Sequence, residues 1–277
     1  MKDFHIHTKY SDGQHDEFEI INEVYDSGVT EFAIADHDTV EGSRRVKRCL
    51  KSMNSNLKFH PGVELTSRVF EYTNGINVHL LVYDFDYNNP QLLQLIDEVS
   101  EMRFKKIQIM VDFIEKEYGI TIPKHMITNK INSTNSFGKP HLYSILEEIG
   151  NFDREKFYRT MDKLDTSYLK LDAKKVITLL QDSCKVVLAH PIEIMREYNY
   201  TIEDIDRFVS YLKSLGLAGI ETHYSKHTKE LQQQLSLIAE KYDLIETHGS
   251  DFHGEIAKPG LKIGQIQKKD KGMLCDI

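Results

Sequence analysis

Histidine and carboxylate side chains recur in this chain where short apolar runs stop. The first cases are Phe4-His5-Ile6-His7 and Phe32-Ala33-Ile34-Ala35-Asp36-His37-Asp38. Pro61-Gly62-Val63-Glu64, Val78-His79-Leu80 and Val186-Val187-Leu188-Ala189-His190-Pro191 follow. The last are Gly219-Ile220-Glu221-Thr222-His223 and Gly249-Ser250-Asp251-Phe252-His253. Imidazole and carboxylate bind divalent metals, and barrel enzymes collect such groups at the carboxyl ends of their strands. One such ending is unremarkable. Six or seven, in a chain with 13 histidines, indicate a multinuclear metal site.

Each residue also has a plainer reading. His5 and His7 are two apart on a strand, so both rings project from one face, although a lone H-x-H is a weak signal. Asp12 in Ser11-Asp12-Gly13 either returns toward the same mouth or belongs to an ordinary Asp-Gly turn. Asp38 or Thr39 is expected to cap the next helix, which leaves His37 unexplained at a strand end. Glu64 ends a strand and is either a ligand or half of a salt bridge, since burying it unpaired is costly. A ligand glutamate could bridge two metals with its two oxygens. His79, inside the apolar run 76–85, is a ligand or a satisfied core histidine.

The elements that must position these groups alternate at both ends of the chain. Strands are expected near 3–7, 30–36, 57–65 and 76–84, with helices at 16–27 (ended by Gly28) and 39–53. Helices 172–183, 201–215 and 227–242 then alternate with strands 185–190, 218–222 and 244–248. Repeated βα units argue for a parallel sheet or barrel. Roughly 100 residues between Asp84 and Lys185 contain no convincing strand, too long a stretch for a loop. Pro90–Tyr118 reads as one long helix, with shorter ones near 123–130, 139–149 and 153–161, so the segment is read as an inserted helical cap. The run Asn129–Ser136 is the expected mobile loop.

Composition bounds the function classes. The 277 residues, 40% hydrophobic and 28% charged, suit one large α/β domain, or a barrel with an inserted subdomain. A net charge of −8 argues against a broad grip on a nucleic-acid duplex or an anionic membrane. Bound cations would still admit a small phosphorylated substrate. Cys49, Cys184 and Cys275 form no C-x-x-C pair, against both a disulfide framework and a zinc ribbon. With no signal peptide and no apolar run of membrane length, the expected compartment is the cytoplasm.

The motifs H-x-H-T…S-D-G, A-D-H-D-T…G, P-G-V-E, V-H-L-L, L-A-H-P and G-S-D-F-H-G, in this order, resemble the PHP (polymerase and histidinol phosphatase) superfamily. The resemblance implies an α/β fold, a distorted seven-stranded βα (TIM-like) barrel formed by 1–88 and 170–277, with a helical cap inserted at 89–169. It implies two to three divalent metals. His5, His7, Glu64 and Asp251 would hold the first; Glu64 would bridge to a second with His79 and His190; Asp12, His37 and His253 would hold a third. Ligands of this type, free of thiolate, suit manganese, iron or zinc. Two such ions roughly 3.5–4 Å apart can deprotonate a water between them and clamp an in-line displacement at phosphorus. Hydroxide is then the nucleophile. Candidates to protonate the leaving group are His227, His223 and a water on the metal of Asp12. With Glu64, His227 and Asp12 make the expected catalytic set.

Within the superfamily the chain resembles the branch that cleaves nucleoside 3′,5′-bisphosphates and trims short RNA from its 5′ end. That branch carries an Arg on the first insert helix and a G-R-P-H motif. Here they correspond to Arg103, on the apolar stripe between Val99 and Ile107, and Gly138-Lys139-Pro140-His141. Arg103 either meets an anion or snorkels to the rim and pairs with a structural acid. Lys139 keeps the charge of the family's Arg without its bidentate fork. Tyr224 and His227 resemble the family's Y-x-x-H segment near the substrate, or are a polar loop entering a helix. His15, His60, His125 and His248 are expected to be non-ligands. The resemblance implies a metal-dependent phosphoric ester hydrolase acting on nucleotides or short oligonucleotides, with Arg103, Lys139, His141 and Tyr224 at the substrate. The alternatives are a histidinol-phosphate-type monoesterase, a non-catalytic metal- or partner-binding module, and hydrolysis of a C–N bond.

Overall fold

The computed structural model describes residues 1–72, 75–133, 139–150 and 152–265. Among them the chain is a mixed α/β fold with two sheets. The first holds β1 (Lys2–Ile6), β2 (Glu31–Ile34) and β3 (Lys58–His60), all parallel. The second has the order β6-β4-β5-β7-β8-β9: β4 (Gly62–Val69), β5 (Ile76–Tyr83), β6 (Leu171–Asp172), β7 (Lys185–Leu188), β8 (Gly219–Tyr224) and β9 (Ile245–Gly249). Here β4–β5 and β5–β7 are antiparallel and the other pairs parallel, so the expected all-parallel arrangement is corrected to a mixed sheet.

Two bridges, Ile6 to Phe252 and His37 to Glu64, join the sheets at the end where β1 and β2 finish. Behind them Ala33 and Ala35 from the first sheet pack against Leu81, Tyr83 and Val187 of the second. Small alanines at the crossing let the strands approach closely, which brings their carboxyl ends together.

Local chemistry accounts for most boundaries. In α1 (Glu17–Asp26) the Asp16 side chain accepts from the Phe18 and Glu19 N–H groups, and Glu19 returns the bond as a capping box. Gly28 follows the C-cap at φ 68, the left-handed conformation that commonly stops a helix. The single strand expected over 57–65 is broken at Pro61, which offers no N–H to a ladder. The piece before it pairs with β2 and the piece after it with β5, so Glu64 lies inside β4 rather than at a strand end. The N-cap of α2 (Glu41–Ser52) is Val40, with no side-chain cap, so the cap expected at Asp38 or Thr39 is corrected: Thr39 Oγ1 accepts from the Glu41 N–H from outside the cap position, and Asp38 turns elsewhere. Two elements escaped the sequence reading: β6, and α8 (Pro191–Tyr198) with proline in its first turn.

The middle segment is helical: α3 (Pro90–Tyr118), α4 (Lys124–Ser133), α5 (Lys139–Ile149) and α6 (Arg154–Met161). At 1.5 Å per residue α3 is about 43 Å long, enough to serve two cores. Its first half buries Leu92, Leu95 and Val99 in the main core, with α7 (Ala173–Leu180), α9 (Ile202–Ser214) and α10 (Lys229–Lys241). Its second half buries Ile107, Met110, Val111 and Ile114 with Leu142, Leu146 and Phe157 in a separate core. Arg103 sits at the changeover. Of the expected mobile loop Asn129–Ser136, the first five residues end α4 and the rest lie outside the described residues, as does Gly138. Among the described residues no helix is long and apolar enough to cross a membrane. Cys49 and Cys184 are free and buried.

Candidate metal centre

The joined strand ends gather nine side chains from nearly the whole chain. Glu64, 1% exposed, is the hub. Five imidazoles ring its oxygens: His79 at 2.9 Å, His190 at 3.0 Å, His5 at 3.1 Å, and His7 and His37 at 3.2 Å each. Around Asp251, His7 and His253 each stand 3.3 Å from Oδ1. Asp12 reaches His253 at 3.2 Å and His7 at 3.6 Å.

One carboxylate cannot be the hydrogen-bond partner of five rings. His7 Nε2 and His37 Nδ1 are buried without any hydrogen bond, although carboxylate oxygens lie close. These atoms converge on shared points instead of on each other, the arrangement a cation requires. The ligand atoms fall into four groups, each within 4.8 Å: His7, Asp12, His37 and His253; His5, His7 and Asp251; His5, Glu64 and His190; His37, Glu64 and His79. All nine expected ligands appear. Glu64 serves two groups, as the bridging assignment expects, but the partners differ in detail: His7 also joins the Asp12 group, and Glu64 groups with His5 and His190 and with His37 and His79 instead of with His7 and Asp251. Nitrogen and oxygen donors without thiolate fit manganese, iron or zinc.

The electrostatics match. Burial would raise the Glu64 carboxyl, yet His37, His5 and His79 hold it well below the carboxylate range. Asp251 is treated the same way by His5 and His7. His37 is pushed down to about 3, burial leading and outweighing Glu64. The ionised carboxylates that metal binding needs are thus set before any ion arrives, but not all the rings are: at His5, His7 and His79 burial favours the neutral ring and is outweighed by the neighbouring carboxylates, which raise His5 well above the ordinary value and His7 to about 9, so these rings give up protons as an ion binds.

Supporting groups fix the ligands. Glu221, fully buried, stands 3.0 Å from His5 Nδ1 and accepts from the His190 N–H at 2.8 Å. It thereby leaves His5 Nε2 facing Glu64, and holds His190 in its unusual φ of 26. Asp36 accepts from the Thr8 N–H, Thr8 Oγ1 and Ser11 Oγ, pinning the loop that carries Asp12. Asp3 accepts from the N–H groups of His5, Ser250 and Gly264, fixing the loop of Asp251. Gly13 and Gly249 are obligatory: a Cβ at Gly13 would lie 2.5 Å from the His7 carbonyl oxygen, and one at Gly249 2.3 Å from His5 Cβ. Glu221, Asp3 and Asp36 were not singled out as site residues from sequence. A buried acid inside an apolar strand was the available signal.

Of the expected substrate groups, Tyr224 donates its hydroxyl to Asp251 Oδ2 at 2.9 Å, and Lys258 contacts the same oxygen. His227 donates from Nδ1 to the Thr222 carbonyl, which leaves Nε2 a buried acceptor without a partner. Burial lowers it to about 4. Arg103 contacts Asp38, whose other oxygen accepts the Thr66 N–H. Lys139 pairs with the exposed Asp162 at 2.8 Å, and His141 is half-buried on α5. His223 lies against His248 with the rings tilted at 42° and their centroids 4.4 Å apart, beside α10. His15 pairs with Glu23, and His60 with Glu31 and Asp84.

Known proteins resemble this chain along nearly all of its length. It is 26% identical to a 5′-3′ exoribonuclease of Haemophilus influenzae, covering 91% of this chain and 89% of that one. It is 23% identical to a phosphoribosyl 1,2-cyclic phosphate 1,2-diphosphodiesterase of Eggerthella lenta, covering 93% and 96%. A 5′-3′ exoribonuclease of Escherichia coli is 24% identical over 95% of this chain and 88% of its own. Among solved structures, a candidate metal-dependent phosphoesterase from Bifidobacterium adolescentis superposes with a TM-score of 0.70 at 24% identity, covering 97% of this chain and 92% of that one. An amidohydrolase from Chromobacterium violaceum, solved with sulfate and no metal, also gives 0.70, at 21% identity with 95% and 89% covered. No family model matches the sequence. The chain thus shares its fold with both solved structures and is similar over nearly all of its length to enzymes named as exoribonucleases and a cyclic phosphate diphosphodiesterase.

Proposed function

We propose that the chain hydrolyses phosphate esters of nucleotides, with nucleoside 3′,5′-bisphosphates or short oligonucleotides as substrates. The observation that carries this is the ring of five histidines around Glu64, with Arg103 of α3 paired to Asp38, the residue next to His37. The relatives' names point the same way, since both kinds act on phosphorylated ribose units. Residues 89–169 are taken as a cap on a barrel of 1–88 and 170–277, supported by the separate core of α3, α5 and α6. The two bridges between the sheets support a distorted barrel.

His5, His7, Asp12, His37, Glu64, His79, His190, Asp251 and His253 would hold two to three divalent ions (Mn, Fe or Zn). When bound, these supply an acidified water and charge for the phosphoryl oxygens. The protein's own side chains do the rest. Glu221 orients His5. Tyr224 stays protonated, because burial and then Asp251 hold its hydroxyl far above the usual range, so it donates to Asp251 and fixes that carboxylate. His227 is neutral at pH 7 with a bare Nε2, which suits it to accept a proton or a hydrogen bond from a water or a substrate hydroxyl. Arg103, Lys139 and His141 face the substrate from the cap and hold its non-reacting part.

The test is metal analysis joined to a phosphate-release assay on adenosine 3′,5′-bisphosphate, a short 5′-phosphorylated RNA and histidinol phosphate. Two to three ions per chain and turnover of the first two substrates are expected. Turnover of histidinol phosphate alone would overturn the nucleotide reading, and a chain that binds no metal would overturn the site.

A further inference from the structure

Helix α2 divides its residues by chemistry. Its buried side is Gly42, Ser43, Val46, Cys49 and Leu50. Apart from Glu41 and Ser52, every other position is a cation: Arg44, Arg45, Lys47, Arg48 and Lys51. Arg44, Lys47, Arg48 and Lys51 follow at three- and four-residue steps and form one solvent-facing stripe about 10 Å long. The chain as a whole has 35 Lys and Arg among 277 residues and a net charge of −8. Neighbouring α1 has the opposite sign, with Glu17, Glu19, Glu23 and Asp26 and neither Lys nor Arg. The charges of the two helices are segregated.

Folding gives this stripe little reason to exist. Like charges three or four apart on a helix repel, and Arg44–Lys47, Arg44–Arg48, Lys47–Lys51 and Arg48–Lys51 are all such pairs. Within the helix only Glu41 answers them, 2.6 Å from Arg45 and 3.7 Å from Arg48. Arg45 also meets Glu17 of α1 at 3.7 Å, so that edge is a bridge between helices. Lys47 and Lys51 are exposed and have no ion-pair partner among the described residues. Two tyrosines flank the row: Arg44 and Lys47 lie 5.5 and 5.0 Å from the Tyr87 ring centre, and Arg45 lies 4.7 Å from that of Tyr10. Cations interleaved with aromatic rings are what binds single-stranded nucleic acid without reading its sequence.

The stripe also starts at the metal mouth. Only Asp38, Thr39 and Val40 separate the ligand His37 from α2. A Cβ on Gly42 would lie 1.9 Å from Asp36 Oδ2 and 2.4 Å from Thr8 Oγ1, so the first turn of α2 presses on the clamp that pins the Asp12 loop. Because β2 and β3 are parallel, α2 must run back from the mouth along the outer wall. A chain held by one end at the metals has this row of cations as its way out.

We propose that the solvent face of α2 binds the sugar–phosphate backbone of a single-stranded RNA substrate whose reacting end lies at the metal centre. This rests on the phosphoesterase reading above and deepens it, in favour of oligonucleotides over mononucleotides. Contacts to phosphate add affinity with length and carry no sequence information. The acidity of the whole chain is no obstacle, because exposed charges act over about 8 Å in physiological salt. A flat anionic membrane would meet the acids of α1 beside the stripe, whereas a single strand is narrow enough to follow α2 alone.

The experiment measures binding of a uridine dinucleotide and a strand of about twelve uridines to the metal-loaded protein by fluorescence anisotropy across a salt series. Phosphorothioate linkages keep both ligands intact, and hydrolysis of unmodified strands is followed separately. Three to four neutralised phosphates predict a plot of log affinity against log salt that is steeper by roughly 2 to 3 for the long strand. In low salt that strand should bind at least about tenfold more tightly. Lys47→Gln/Lys51→Gln should lose most of this advantage and flatten the slope by roughly 1.4, with metal content and dinucleotide affinity as in the parent. Lys47→Arg/Lys51→Arg should keep both. Lys213→Gln/Lys241→Gln, which changes the net charge equally on α9 and α10, should also keep both. A parent that binds the two lengths equally would overturn the proposal, whatever its turnover. So would α2 variants that keep the length advantage, or an α9/α10 variant that loses as much of it. Binding to phosphatidylglycerol vesicles that depends on α2 and exceeds binding to the strand would assign the face to a membrane and overturn the RNA reading. A length advantage carried by α2 without hydrolysis of any strand would uphold the surface and overturn the activity instead. If the double Gln variant fails to fold, Lys47→Gln and Lys51→Gln decide separately.

Discussion

Strands β1 and β2 carry charge at both ends, and the two ends treat it differently. At their start, Glu31 is met by Lys58 at 2.8 Å, Lys2 at 3.1 Å and His60 at 2.8 Å. At their finish, Glu64 is met by five histidines, and among the described residues neither Lys nor Arg pairs with it. A lysine brings a proton and a full charge, so the first cluster is complete in itself. An imidazole gives up its proton far more readily and then brings a lone pair, so the second cluster can take a cation in place of protons. What surrounds a carboxylate, more than its burial, separates a structural cluster from a working one.

Removing the hub should show this most strongly. In Glu64→Gln the shape stays and the charge that faces several imidazoles goes. Loss of bound metal and a fall in turnover of roughly a thousandfold or more are expected, since cation stabilisation of the displacement is worth several kcal/mol. Metal analysis beside phosphate release reads both. Unchanged metal content and rate would reduce Glu64 to the status of Glu31.

Glu221→Gln sharpens the same contrast one step out, because Glu221 works only by orienting His5 and holding the His190 backbone. Substitutions of such supporting groups typically cost ten- to a hundredfold in metal affinity. Titration against a chelator should find that loss, with the fold retained by circular dichroism. An affinity within threefold of the parent would mean that His5 is oriented by packing alone.

The nine converging residues were legible because their types are rare together and most lie at or near the end of an apolar run. The βα rhythm at both chain ends, the long helix and the Gly28 stop were legible from periodicity and turn chemistry. The antiparallel β4–β5–β7 arrangement was not, because antiparallel and parallel strands read alike when both faces are buried. Pro61 carried the signal that 57–65 is two strands, and Pro191-Ile192-Glu193 the signal for α8. Glu221 stood in the sequence as an acid inside an apolar strand, which marks a need for a partner without naming it.

The smallest effect belongs to the complete cluster. Lys58 first, then His60 and Lys2, bring Glu31 down to about 2, from an ordinary value near 4.5. A carboxyl whose folded value lies below its unfolded one stabilises the protein above the unfolded value and loses that contribution as pH falls. Lys2 and Lys58 are more than half exposed, so solvent screening limits the gain to about 1 kcal/mol. Urea unfolding of Glu31→Gln should show that deficit unchanged from pH 7 to 5. The two proteins should converge between about 4.5 and 2, and the deficit should shrink in high salt. Phosphate release and metal content should match the parent throughout. A loss of metal in this variant would erase the distinction between the two ends of the strands, because it would show that the lysine-met carboxylate also serves the centre.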